Sequence, residues 1–188
     1  MNQASGIFPR MSSSRLFLRE HLPEDSELFY SLMSDSDALR YYGRNLVTTY
    51  ESVLSEFEQY DSDFSQGNAI HWSIIANGSY IGSFEAWGFK SAHKRVSIGC
   101  IIEPRHRGKG YAGEALNCVL LYLFRDRDIH RVQLYVDPRN IRATSFFKKY
   151  GFKEEGRLRD YEIENENHID IVIMSLLKRE FELMKQNI

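Results

Sequence analysis

Leu16 and Leu18 alternate with polar neighbours over residues 15–20, the period of two that marks a half-buried strand. Pro23, Glu24 and Asp25 supply helix-start residues ahead of Leu28, Phe29, Leu32 and Met33, whose spacing is helical. A second helical repeat, Tyr50, Val53, Leu54, Phe57 and Tyr60, follows Thr48 and Thr49. Residues 69–76 and 79–89 read as strands, and Asn77-Gly78 between them suits a type I′ hairpin turn, in which both positions need positive φ. A strand over 96–103 ends at Pro104, which has no N–H for a ladder. Ala112, Ala115, Leu116, Val119, Leu120 and Leu123 then form one apolar helical face. A short apolar strand at 132–136 breaks at Asp137-Pro138, and Asn140 opens a helix that carries Ala143, Phe146, Phe147 and Tyr150 and stops at Gly151. Strands over 152–160 and 168–176 follow, joined by the polar turn Glu164-Asn165-Glu166-Asn167.

This order predicts an α/β fold: one mixed sheet of six to seven strands, mostly antiparallel, flanked by helices. The strand-helix-strand run over 96–136 supplies its parallel pair, the fourth and fifth strands. No repeat, linker or low-complexity tract interrupts the chain, so its 188 residues read as a single domain with a core over about 15–182.

Composition narrows the partners. A formal charge of −2, a pI near 6.3 and no lysine or arginine run longer than two argue against nucleic acid or an anionic membrane surface. The longest apolar stretch, residues 119–124, is too short to span a bilayer, and the polar N-terminus lacks the apolar core of a signal peptide, so a cytoplasmic location is expected. Cys100 and Cys118 have no CxxC spacing and read as buried small hydrophobes. The six histidines include no HxxxH pair. His168 and Asp170 share a strand face but do not complete a ligand set, and no metal is expected.

The candidate chemistry lies where the 96–103 strand runs into Arg105-His106-Arg107-Gly108-Lys109-Gly110-Tyr111-Ala112 and then an amphipathic helix. Glycines let the backbone curl so that successive N–H groups share one concavity, and the helix N-terminus adds unpaired donors and a positive dipole end. A pyrophosphate suits such a loop. The spacing is neither GxxxxGK[ST] nor GxGxxG, which excludes the usual triphosphatase and dinucleotide fingerprints.

Arg105, Gly108 and Gly110 resemble the [QR]xxGx[GA] cofactor loop of the GNAT superfamily of N-acetyltransferases. The run from Asn140 through Ala143, Phe147 and Lys149 to Gly151-Phe152 is similar to that superfamily's NxxAxxxYxKxGF stretch. LFLREHLPEDSELFYSLMSD and HIDIVIMSLLKREF resemble the branch containing ribosomal-protein N-terminal acetyltransferases and spermidine acetyltransferases. The resemblance covers about residues 15–182.

It implies that the parallel strands splay apart and that acetyl-CoA lies in the opening as the acetyl donor. Its pantetheine would pair with Ile101, Ile102 and Glu103, and its pyrophosphate would meet backbone N–H groups of Arg107, Gly108, Lys109, Gly110, Tyr111 and Ala112. Arg105, Asn140, Arg142 and Phe147 complete the implied cofactor set, although Asn140 equally suits a helix N-cap and Arg105 and Lys109 equally suit solvated charges.

The implied reaction is transfer of acetyl by direct attack of a primary amine: a protein α-amine, a polyamine or another small amine. An alkylamine with a pKa near 10 must lose a proton first, and Glu85 is the expected base, with an exposed strand carboxylate as its bland reading and Glu103 as runner-up. Phe147 stands where the family has a proton-giving tyrosine, which leaves water, Ser145 or Tyr150 for that role, or none. Tyr41, Tyr42, Trp87, Tyr161, Glu162 and Glu164 are candidates for the acceptor wall. The alternative is a catalytically impaired CoA-binding regulatory module of the same fold, for which Phe147 is the main support. The oligomeric state is open, a homodimer included.

Overall fold

The computed structural model describes residues 6–164 and 166–186, so residues 1–5 and Asn165 of the expected 164–167 turn lie outside the described residues. The element order is β1 (Met11–Ser12), β2 (Leu16–Arg19), α1 (Ser26–Met33), α2 (Ser36–Leu39), α3 (Glu51–Gln66), β3 (Ala69–Ala76), β4 (Ser79–Lys90), β5 (Arg95–Ile102), α4 (Tyr111–Leu121), β6 (Arg131–Val136), α5 (Ile141–Lys149), β7 (Lys153–Glu164), β8 (Asn167–Leu177) and α6 (Lys178–Gln186). Single 3₁₀ turns precede α1, β5 and α4, and a π-helical turn at Tyr122–Asp126 extends α4.

The strands form one sheet in the order β1-β2-β3-β4-β5-β6-β8-β7, with β5 and β6 as its parallel pair. It has eight strands rather than six or seven. The addition is β1, whose two residues pair with β2 as Met11↔Leu18 and Ser12↔Phe17, too few for an alternating pattern to register in the sequence. Asn77 and Gly78 both take positive φ, 51° and 75°, as the expected type I′ turn demands.

Strand alternation sends neighbouring residues into opposite apolar layers. Ile75, Tyr80 and Ile101 pack beneath Phe29 and Leu32 of α1 and Phe57 of α3. Ile74, Phe84, Ile98 and Ile102 face the other way, in a core shared with Leu116 and Leu120 of α4, Phe147 of α5 and Phe181 of α6. Burying each large side chain contributes on the order of 1.5–3 kcal/mol, so these layers fix the helices on the sheet. No helix among the described residues is long and apolar enough to cross a membrane.

The parallel pair is short. β5 and β6 are in register only at Arg95↔Arg131, Val96↔Val132 and Ser97↔Gln133. Beyond that point β5 stays paired with β4 as far as Gly82↔Ile102, while β6 stays paired with β8 as far as Val136↔Val172. Each strand follows its antiparallel neighbour, so the two part and leave the β6-facing backbone of residues 98–102 without a strand partner.

Candidate active site

A cleft of about 750 Å³ opens where β5 and β6 part. Its floor is Cys100, Ile101 and Ile102, and its sides come from the 106–113 segment, from α5 and from the α2 end. Gly108 (φ 78°) and Gly110 (φ 86°) take the left-handed conformation that a Cβ penalises, and so curl the chain into the start of α4. The first backbone bond of that helix runs from the Glu114 N–H to the Gly110 C=O (3.2 Å), which leaves the N–H groups of Tyr111, Ala112 and Gly113 without helical acceptors. Arg40, His106, Arg107, Arg142 and Lys149 line the same cleft against one carboxylate, Asp37. Burial, and then the charge of nearby Arg142, pulls Arg107 below the usual arginine value. A curled donor loop beside several cationic side chains is suited to a polyanion such as the phosphates of coenzyme A.

Glu85 is outside the cleft lining and lies behind Tyr42, on the sheet face covered by α3. It is cross-strand partner to His71 on one side and to Gly99 on the other. A Cβ at Gly99 would come 2.7 Å from Glu85 Oε1 and push that carboxylate from its place. The Tyr42 hydroxyl, from the cleft lining, donates to Glu85 Oε1 at 3.1 Å. His71 Nδ1 sits 3.6 Å from Oε2, its ring stacked on Tyr60 at 3.9 Å, with Asp63 Oδ2 3.9 Å from Nε2.

Desolvation raises Glu85 above the ordinary carboxylate range, outweighing the Tyr42 hydrogen bond and the charge of Arg44 that lower it. The side chain keeps 29% of its surface open. Burial lowers His71 to about 4, and the imidazole beside the carboxylate is neutral at neutral pH. Tyr42 is raised well above the usual phenol value by burial and then by Glu85, so it remains a donor.

Of the residues read as a cofactor set, Ile101, Ile102, Arg107, Gly108, Gly110, Tyr111, Ala112, Asn140, Arg142 and Phe147 line the cleft. The structure adds detail to the expected residues. The Arg107 backbone N–H bonds the Pro104 C=O (3.2 Å), and its guanidinium ties the Ile102 C=O (2.8 Å) to the Ala38 C=O (3.2 Å). Glu103 and Arg105 pair with each other outside the lining, Glu103 also binds His106 Nδ1 at 2.7 Å, and the Glu103 backbone bonds the Ile81 C=O and the His106 N–H at 2.9 Å each. Lys109 is likewise outside the lining. Asn140 is an N-cap, its Oδ1 accepting from the Ala143 N–H at 3.0 Å, which leaves its amide donors for a ligand.

Neither cysteine is fully buried, and Cys100 lines the cleft. Burial, with Glu85 adding to it, pushes the Cys100 thiol up to about 12, the opposite of an activated nucleophile. Ser145 is exposed and outside the lining, whereas Tyr150 lines the cleft with its hydroxyl against Gly113. Of the acceptor-wall candidates, Tyr41 and Tyr42 line the cleft. Tyr161 stacks on Tyr135, Glu164 binds Arg139, and the Glu162 carboxylate rests against Gly43. Trp87 packs at Gly99 beside Glu85. His71 and Asp63 had no sequence signal, because which residue lies opposite Glu85 depends on a register shift between Ile74 and Ile75.

This sheet, opened over a glycine loop at a helix start, is the architecture of an acyl-CoA-dependent transferase. The Acetyltransferase (GNAT) domain family matches residues 15–153, and the chain belongs to it: it is an N-acetyltransferase whose acetyl donor is acetyl-CoA. Among its relatives are the uncharacterized N-acetyltransferase YoaA of Bacillus subtilis, 28% identical over 92% of this chain and 98% of that protein, and spermidine N(1)-acetyltransferase of Vibrio cholerae, 27% identical over 90% and 96%. Two solved structures share the fold. The V. cholerae spermidine N-acetyltransferase with CoA and spermine has a TM-score of 0.81 at 23% identity, covering 90% of this chain and 99% of that one. The microcin C7 self-immunity acetyltransferase MccE with acetyl-CoA and AMP has a TM-score of 0.80 at 21% identity, covering 88% and 93%.

Proposed function

We propose that the chain acetylates a primary amine by direct attack, with Glu85 as general base. The observation that carries this reading is the continuity of one cleft, from the Gly108–Gly110 donor loop along the unpaired backbone of β5 to Tyr42, which holds the Glu85 carboxylate. When bound, acetyl-CoA supplies an activated acyl carbon and a thiolate leaving group. The 108–113 backbone donors and Arg142 hold the anionic end, and an unpaired N–H of β5 donates to the carbonyl being attacked.

An acceptor amine arrives mostly as ammonium, since its ordinary pKa is near 10. A carboxylate raised by burial is a stronger base than a surface one and a better match for that proton. Tyr42 keeps one Glu85 oxygen oriented, which leaves the other for the amine. The set has no hydroxyl at position 147, so the proton for the departing sulfur comes from water or from Tyr150.

Among amines, a cationic polyamine is favoured by the Glu162 carboxylate. No cationic partner for it is found among the described residues, and burial, then the charge of Asp137, raises it. The relative that acts on spermidine points to the same class. The test is thiol release from acetyl-CoA against a panel of spermidine, simple diamines, monoamines and basic-start peptides. Turnover with none of them, at full CoA binding, would favour the regulatory-module alternative.

A further inference from the structure

The cofactor loop is braced from behind by a turn far from it in the chain. Ser13, Ser14 and Arg15 join β1 to β2, and all three reach Glu114 in the first turn of α4. Glu114 Oε1 accepts from Ser13 Oγ (2.6 Å), Ser14 Oγ (3.1 Å) and the Arg15 N–H (2.9 Å), and Oε2 takes Arg15 Nε (2.8 Å) and Nη2 (2.7 Å). Arg15 Nη1 also donates to the Lys109 C=O at 3.0 Å, and its guanidinium lies 4.7 Å over the Tyr111 ring. Its Nη2 is 3.2 Å from where a Cβ of residue 110 would be. One side chain therefore touches residues 109, 110, 111 and 114, the outer wall of the anion loop.

We infer that the Ser13–Arg15 turn is a positioning element for the cofactor loop, with Arg15 as its positioning residue. Lys109 lies between two glycines in left-handed conformation, the part of the loop with the most conformational freedom to lose. Holding its carbonyl on one side aims the neighbouring N–H groups to the other, where the phosphates would lie. Ordering the loop beforehand removes that cost from ligand binding. The two-residue strand β1 gains a purpose: it closes the hairpin that presents the turn. Partial burial opposes the charge on Glu114, but the Ser13, Arg15 and Ser14 hydrogen bonds outweigh it and hold the carboxyl at about 2. That lowered value keeps the brace intact down to pH near 4 and loses it only as pH falls toward 2.

The inference rests on the coenzyme A reading of the cleft, and two measurements separate them. Calorimetry with CoA is made on the wild type, Arg15→Ala, Glu114→Gln and the double variant, and hydrogen exchange of the 108–113 amides is followed without ligand. Positioning predicts CoA affinity about tenfold weaker in each single variant, no further loss in the double, and faster exchange of the loop amides. It also predicts that KM for acetyl-CoA rises while kcat at saturation and KM for the amine stay near wild type. If Arg15 instead touched phosphate directly, Glu114→Gln would free it and tighten binding, which overturns the positioning role. Unchanged amide exchange in Arg15→Ala overturns it as well, whatever the wild type binds. Failure of the wild type to bind CoA at all would sink the cleft reading instead.

Discussion

The Tyr42 hydroxyl and the Glu85 carboxylate, 43 residues apart in the chain, meet at 3.1 Å behind the cleft wall that Tyr42 lines. Burial raises Glu85, and the Tyr42 hydrogen bond is the largest effect opposing it. A base must be ionised to act, so activity falls as pH drops through the raised Glu85 value. Removing the hydroxyl in Tyr42→Phe takes away a lowering influence, so the acid limb of kcat/KM moves to higher pH. A profile that stays in place would detach Tyr42 from the base.

Glu85→Gln keeps the shape of the side chain and removes the proton acceptor. The expected loss in kcat/KM near neutral pH is roughly a hundredfold or more. The deficit shrinks at high pH, where free amine accumulates without help. Activity close to wild type across the whole range would make Glu85 a structural carboxylate.

Direct transfer needs no thiolate on the enzyme. With Cys100 pushed up to about 12 by burial, the Cys100→Ala, Cys118→Ala double variant retains turnover. In the wild type, alkylation by iodoacetamide at neutral pH is slow. A folded, CoA-binding double variant without activity would put an acyl-cysteine route back in play.

Gly110 sits at φ 86°, and valine there meets both backbone strain and the Arg15 guanidinium. The left-handed conformation alone costs a side chain about 1–2 kcal/mol. Gly110→Val therefore weakens CoA binding by calorimetry and lowers Tm modestly. Wild-type affinity would remove the loop from the phosphate site.

Gly113 and Tyr150 form a matched pair, since a Cβ at 113 would overlap the Tyr150 hydroxyl and lie 2.5 Å from Cζ. Gly113→Ala is expected to destabilise by about 1–3 kcal/mol through overpacking. Adding Tyr150→Leu opens the space and recovers part of that loss, a coupling read from a double-mutant cycle in chemical denaturation. Additive losses would show that the ring moves aside freely.

What could be read before folding was whatever a short window encodes. The alternation of Leu16 and Leu18, the helical face from Ala112 to Leu123, the positive φ at Asn77-Gly78 and the glycine loop are each set by local backbone preference and spacing. Those windows were sufficient to place the sheet and the parallel pair. Glu85 was named from the family resemblance, and its setting could not be read at all. The Asn77-Gly78 turn by itself pairs Ile75 with Tyr80, a register that carried onward would set Glu85 opposite Ile70. The bulge between Ile74 and Ile75 advances the pairing by one and brings His71 there. The parting of β5 from β6 arises from pairing with β4 and β8, and the Arg15 brace from a contact 99 residues long. Such relations depend on which segments become neighbours after collapse, and neither periodicity nor turn chemistry carries information over that distance.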